Sequence, residues 1–391
     1  MSEYLFIIPL FIAIAAGWFL GRWQSRGKKS VKQSLQQEYF QGLDYLLSEN
    51  TDKAIESFIR ALEINSSTIP AHIALAKLFR KKGDVDRAIQ IHQSLLARSD
   101  LSRHDFLRIQ MALARDYFAV GLLDRAENLL LEIKAQRPGA DIHQKVMSLL
   151  IRLYEKEQEW QQALDLANQL MKSELQGLEV ELSHYCCELA EDLIQQQRYR
   201  HAAEKLRVAL TYDKSAVRAS LLLADIAIKQ QDWKTAIKEL KRVADQDTVY
   251  LSVTIKRLKQ CYTELNQLTE FERLMQHWLN KSPSTTVMLA VADCILERDG
   301  AYPAGAFITD QLKQRPSIKG FNQLIDLYIA HASKGANESL MVLRGLTGQL
   351  ELSKPVYNCQ RCGFSGKSLH WQCPSCQNWG TTKPVLGLEG E

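Results

Sequence analysis

An alanine returns at Ala54, Ala88, Ala126, Ala163, Ala202 and Ala236, at intervals of 34, 38, 37, 39 and 34 residues. A period of this length belongs to a helix–turn–helix unit that cannot bury its apolar face alone and must stack on its neighbours. In YFQGLDYLLSENTDKAIESFIRALEIN, which starts at Tyr39, Gly42, Tyr45, Ala54, Phe58 and Ala61 stand at the spacing of a tetratricopeptide repeat. The small residues let two antiparallel helices approach, and the aromatics fill the space toward the next pair. Trp160, Tyr199 and Trp233 each stand three residues before a recurring alanine. Lys82-Gly83-Asp84 and Val120-Gly121 mark turns within pairs, and Pro138 closes the third repeat. Weaker copies run over 252–283, with Phe271 where alanine is expected, and over 285–316, closing at Pro316. The pattern predicts an all-α tetratricopeptide-repeat superhelix of about eight helix pairs over 35–316, completed by capping helices over 317–352.

Such arrays bind extended peptides or partner domains on the surface lined by the first helix of each pair. The nine histidines are scattered, with no His-Glu-x-x-His, and the chain has neither a phosphate loop nor Gly-x-Ser-x-Gly. A non-enzymatic binding protein is therefore expected. The ninth residue of each repeat, which faces the groove, reads Lys77, Arg115 and Arg152, then Glu191 and Asp225. Arg80, Lys81 and Arg108 extend the basic half. This register predicts a positive groove followed by an acidic section, steering a partner of opposite polarity. A merely solvated helix face is the competing reading.

The N-terminus is of another kind. YLFIIPLFIAIAAGWFLG, residues 4–21, carries no charge and would be about 27 Å long as a helix, close to the thickness of a bilayer's hydrocarbon core. No basic region precedes it, as a cleaved signal peptide would need, although Ala13-Ile14-Ala15 has the form of a cleavage site. The positive charges follow instead: residues 22–34 form a basic linker with Arg22, Arg26, Lys28, Lys29 and Lys32. An uncleaved single-pass anchor over 1–21 is expected, with the N-terminus outside and residues 22–391 in the cytoplasm. Ala13, Gly17 and Gly21 share one face and would admit another membrane helix closely. Of 49 basic and 45 acidic residues, removing the linker's five cations leaves 44 against 45. The remainder is near neutral, which argues against general nucleic-acid binding.

Eight cysteines fit a reducing compartment. Cys186, Cys187, Cys261 and Cys294 lie in apolar helical segments and read as small buried side chains. The other four form YNCQRCGFSGKSLHWQCPSCQNW, residues 357–379. Cys359, Cys362, Cys373 and Cys376 have the spacing of two metal knuckles and predict a small four-cysteine domain over 353–384. Cys-x-x-Cys-Gly and Cys-Pro-x-Cys resemble rubredoxin knuckles. One structural zinc is preferred to iron, because the knuckles stand closer than in electron-carrying rubredoxins. Four thiolates leave no open coordination position for catalysis. Lys354, Arg361, Lys367 and Lys383 with Trp371, Trp379 and Phe364 permit an RNA-binding alternative. Packing of these rings against the last helices of the array, as a cap on its open end, is the preferred reading.

The order of anchor, basic flank, repeats and rubredoxin-like zinc ribbon resembles the lipopolysaccharide assembly protein B family of Gram-negative bacteria. The carriers are YLFIIPLFIAIAAGWFLGRWQ, YFQGLDYLLSENTDKAIESF and YNCQRCGFSGKSLHWQCPSCQNWG. The resemblance implies an inner-membrane adaptor that promotes proteolysis of the lipid A-committing deacetylase LpxC by the membrane-anchored protease FtsH. It also implies a link between lipopolysaccharide synthesis and export, and restraint by an inner-membrane lipopolysaccharide sensor. Cys359, Cys362, Cys373 and Cys376 match the family's metal ligands. A scaffold that holds synthesis enzymes together without directing proteolysis is the alternative within this resemblance.

Overall fold

The computed structural model of the protein describes Trp18 and residues 37–48, 50–64, 68–170, 175–331 and 334–390. Apart from Trp18, the expected anchor and its face of Ala13, Gly17 and Gly21 lie outside the described residues, as does the basic linker 22–34. Among the described residues no helix is long and apolar enough to cross a membrane. The chain divides into two compact units, the first ending at Glu157 and the second starting at Gln158.

In the first unit, residues 37–47 (α1) and Thr51–Ile64 (α2) are followed by Ile69–Lys82 (α3), Val85–Leu96 (α4), Arg103–Val120 (α5), Leu123–Ala135 (α6) and Ala140–Lys156 (α7). α3 packs on α4 and α5 on α6, and α3, α5 and α7 pack in succession as first helices. Ala54, Ala88 and Ala126 have no exposed surface, and Gly42 lies against the Phe58 ring, where a Cβ would come within 3.0 Å. The recurring small residues are the points where two helices touch.

A buried ionic cluster ties three of these helices together. Asp116 of α5 is fully buried; one carboxylate oxygen accepts from Arg80 of α3 and the other lies 2.5 Å from Nδ1 of the buried His92 of α4. Arg80 also donates to the Ala112 carbonyl at 3.3 Å. A buried carboxylate persists only when its charge and lone pairs are met in this way.

The second unit contains Trp160–Ala167 (α8), Glu179–Gln195 (α9), Tyr199–Tyr212 (α10), Val217–Lys229 (α11), Trp233–Gln246 (α12), a 3-10 turn over Thr248–Tyr250, Leu251–Glu264 (α13), Leu268–Lys281 (α14), Thr285–Asp299 (α15), Ala301–Gln314 (α16), Ile318–His331 (α17) and Lys334–Ser353 (α18). Ala163, Ala202 and Ala236 are again fully buried, and Trp160, Tyr199 and Trp233 are the first residues of α8, α10 and α12. Phe271, in the alanine's place, is fully buried in a cluster with Tyr262, Met275 and Trp278. A small three-stranded antiparallel sheet, Tyr357–Cys359 (β1), Ser365–Gly366 (β2) and Thr382–Pro384 (β3) in the order β2-β1-β3, ends the unit.

The turns inside the pairs share one left-handed residue. Gly83 and Gly121 fill it with φ of 91° and 86°, but Gln197, Gln231 and Asn266 hold the same slot at 61°, 59° and 55°. Those three accept a torsional cost that glycine avoids. Space is not limiting at Gly121, where an added Cβ meets nothing within 4 Å. Gly121→Ala is therefore expected to destabilise the first unit by about 1 kcal/mol, whereas Gln231→Gly stabilises the second by a smaller amount. Urea denaturation of the two variants against the unaltered chain checks both signs.

Candidate metal centre

Both knuckles have the same local construction. The N–H of Gly363 donates to the Cys359 carbonyl at 3.0 Å, and that of Gln377 donates to the Cys373 carbonyl at 2.8 Å. The N–H of Cys359 donates to Phe364 O at 2.7 Å, and that of Cys373 to Asn378 O at 3.0 Å. Each knuckle needs a left-handed residue after its second cysteine; Gly363 has φ 77° and Gln377 has φ 55°. Backbone N–H groups thus turn inward around each sulfur pair.

The four Sγ atoms lie within 4.8 Å of one another. Cys359 Sγ is 3.7 Å from Cys376 Sγ, and Cys362 Sγ is 3.6 Å from Cys373 Sγ. These separations are far longer than a disulfide bond. They match the edge of about 3.8 Å that four sulfurs form around a zinc ion at about 2.3 Å. The donor set fits one tetrahedral metal ion, and such an ion would cross-link the two knuckles. Burial works against ionising Cys359, but its hydrogen bond with Thr381, 3.3 Å away, and those from backbone N–H groups outweigh it and lower its pKa to about 6. Hydrogen bonds from the Asn378 side chain and backbone lower that of Cys376. Two of the four sulfurs are therefore biased toward the thiolate that a metal requires. Burial instead raises Cys186 to about 12 and Cys261 and Cys294 to about 11; with Cys187 they are buried, free thiols.

The ribbon's seat differs from the one expected. Its tryptophans pack on helices, but not on the last ones: they reach α8, α9, α11 and the 3-10 turn before α13. Trp379 stacks on His184 of α9 with ring centroids 4.9 Å apart and meets Trp160 and Tyr185 edge-on at 6.0 and 6.2 Å. Trp371 stacks on Tyr250 at 5.7 Å. The Tyr250 hydroxyl donates to the Thr382 carbonyl at 2.7 Å, and Lys383 pairs with Asp247 at 2.7 Å. Arg218 of α11 lies under the Trp379 ring, its guanidinium donating to Glu188 at 2.7 Å and to Glu191 at 2.8 Å. The reading of the ribbon as a cap on the stack's open end is corrected accordingly. There Trp160, His184, Tyr185 and Tyr250 offer the ribbon's tryptophans ring faces and edges to stack on.

The acidic section is also taken up by internal pairing. Glu191 is paired with Arg218, and Asp225 is paired with Arg257 at 2.6 Å. These carboxylates are internally neutralised rather than presented as a negative surface. The basic residues behave differently. Lys77 and Lys81 on α3, Arg108 and Arg115 on α5 and Arg152 on α7 are all exposed, and all lie in the first unit. Lys77, Lys81, Arg115 and Arg152 have no acidic partner among the described residues, and Arg108 has only Asp105 at 3.9 Å. Arg80 alone is engaged, by Asp116. Residues that pattern alone missed are His184, Arg218, Tyr250 and Asp247; a contact such as Tyr250 to Thr382 spans 132 residues and has no periodic signature.

The fold and centre define a tetratricopeptide-repeat protein closed by a rubredoxin-type metal ribbon. A family model described as the rubredoxin metal binding domain matches residues 357–384, and tetratricopeptide repeat models match 71–103 and 193–250. Lipopolysaccharide assembly protein B of Escherichia coli strain K12 is 36% identical over 392 residues, covering 100% of both chains. The Haemophilus influenzae protein of the same name is 35% identical over 402 residues, again covering 100% of both. The chain belongs to the lipopolysaccharide assembly protein B family.

Two outcomes follow from this seat. Cys373→Ser is expected to lose the bound metal and release Trp379 and Trp371 to water, while most helical signal remains. Metal content, tryptophan emission and far-ultraviolet dichroism measured together check it. Burial, reinforced by the Arg218 charge, pushes the His184 pKa down to about 3, and its Nδ1 has no hydrogen-bond partner. Above pH 6.5 the neutral ring is accommodated; below it the unfolded chain takes up a proton that the folded chain refuses. Stability is therefore lost as pH falls from about 6.5 toward 3, by about 2 kcal/mol at pH 5. His184→Phe keeps the stack without the proton, so its urea midpoint should change less between pH 7 and pH 5 than that of the unaltered chain.

Proposed function

We propose that the chain is a non-enzymatic adaptor in the regulation of lipopolysaccharide synthesis. In this reading it acts at the inner membrane through an N-terminal anchor over residues 4–21 and brings LpxC to FtsH for degradation. The observation that carries the proposal is the full-length similarity to lipopolysaccharide assembly protein B of E. coli and H. influenzae. Physical features support it. A tetrathiolate centre has no open position at which a substrate would react. The unpaired cations of α3, α5 and α7 form a surface suited to an acidic segment of a partner. A single anchor would confine the adaptor to the plane of an anchored protease and raise effective concentration without new contacts. Zinc, the metal preferred for the four thiolates, would act as a cross-link holding the ribbon against α9 and α11.

The RNA-binding alternative loses support from the placement of its stacking rings. Trp379 is buried and one face of Trp371 is stacked on Tyr250, which reduces the ring area open to a base. The scaffold alternative differs in one consequence, the fate of LpxC. Depleting the protein is expected to lengthen the LpxC half-life in cells with active FtsH and to leave it unchanged where FtsH is inactive. A half-life that ignores depletion in both backgrounds would reject the adaptor and leave the scaffold.

A further inference from the structure

After β3 the chain does not simply end on the ribbon. Val385 donates to the Val356 carbonyl at 2.9 Å, and residues 385–390 then close a small loop, with Gly387 at φ 96° and Gly390 N–H donating to Gly387 O at 3.1 Å. Gly390 lies so close to Val385 that it has no room for a side chain. The loop rests on the turn between α16 and α17. There the N–H of Ile318, the first residue of α17, donates to the Leu388 carbonyl at 3.0 Å. Glu389 pairs with Lys354 at 2.6 Å.

Two clefts meet at Leu388. One, of about 360 Å³, is lined by Leu312, Ile318, Phe321, Leu324 and Leu350 and is almost wholly apolar. The other, of about 530 Å³, runs past Pro283 and Met288 to Leu386. The loop covers these clefts without filling them: Leu386 and Leu388 remain 58% and 56% exposed, and Phe321 and Leu350 are each 47% exposed. Among the described residues its polar attachments beyond Val385 are the Ile318–Leu388 backbone hydrogen bond and the Glu389–Lys354 ion pair, which hold little against competition.

We propose that this cleft at the α16–α17 turn is a docking site for a leucine-bearing, acid-flanked peptide segment of a partner protein, and that the chain's own Leu386–Glu389 loop is its displaceable cover. The seated loop defines the chemistry of the occupant. Two leucines two residues apart line the clefts, a carbonyl accepts the Ile318 N–H, and the next residue meets Lys354 with a carboxylate. Arg315 lines the second cleft and favours the same sign of charge, whereas Lys313 at the first is paired with Asp310 at 2.9 Å. An acyl chain would fill the apolar volume but leave the Ile318 N–H without an acceptor, so a peptide fits the site better. This inference goes beyond the adaptor reading and does not depend on it.

The test uses the full-length chain in detergent and a fluorescein-labelled peptide, Pro-Val-Leu-Gly-Leu-Glu-Gly-Glu, which copies residues 384–391. In Leu386→Ser/Leu388→Ser the cover is released, and anisotropy should show binding at least about ten-fold tighter than to the unaltered chain. Adding Phe321→Glu or, if that variant has lost helical signal or metal, Leu350→Glu should abolish the binding. Equal binding to covered and released chains, binding that survives both cleft variants, or no binding to the released chain would each overturn the proposal. Self-association of the released chain in sedimentation, without peptide binding, would overturn it too, by assigning the cleft to a second copy.

Discussion

The close approach of paired helices at fully buried alanines is the contact on which everything else rests. Where Ala54, Ala88, Ala126, Ala163, Ala202 and Ala236 sit, a larger side chain would push two helices apart. Closing each pair places its next face at a reproducible distance, so a partner helix of the following pair has a surface to meet. The Asp116 cluster shows the precision that this permits. Groups from three helices converge on one buried carboxylate, and they do so only because the helices carrying them are held at one spacing.

That rigidity is also what makes a seat for the ribbon. A domain of about thirty residues has too little apolar interior to hold its own shape. Four sulfurs supply the internal restraint, and the helices supply the external one, through Trp379 on His184 and Trp371 on Tyr250. The two restraints depend on each other: the knuckles aim the tryptophans, and the helix face shields them from water. Arg218 beneath Trp379 is kept in place by two carboxylates, and Arg257 takes up Asp225, so the acidic section of the surface is removed from use by a partner. The first unit's cations face no such internal demand. Charge that one part of the protein spends on its own folding, another part leaves available for recognition.

Periodicity makes the helix pairs legible in the chain alone, because the requirement for a small residue at each crossing recurs with each repeat. Phe271 shows how far that reading extends: an aromatic replaces the small residue, and the pair still forms around a larger, buried cluster. The left-handed turn slot was readable at Gly83 and Gly121 but not at Gln197, Gln231 and Asn266, since glutamine and asparagine carry no unique backbone signal. The four metal ligands were readable because spacing within a knuckle is a local property.

The repeated helix pairs, the two knuckles and the family follow from the order of residues alone, since each depends on residues close together in the chain or on likeness along its whole length. Where the ribbon rests, which of the charged residues are internally paired, and how the loop after β3 lies on the α16–α17 turn are settled by packing in three dimensions. These depend on contacts between different helices and the ribbon, from 27 residues apart for Arg218 with Glu191 to 136 for Lys383 with Asp247, and the match of surfaces that joins them has no period in the chain.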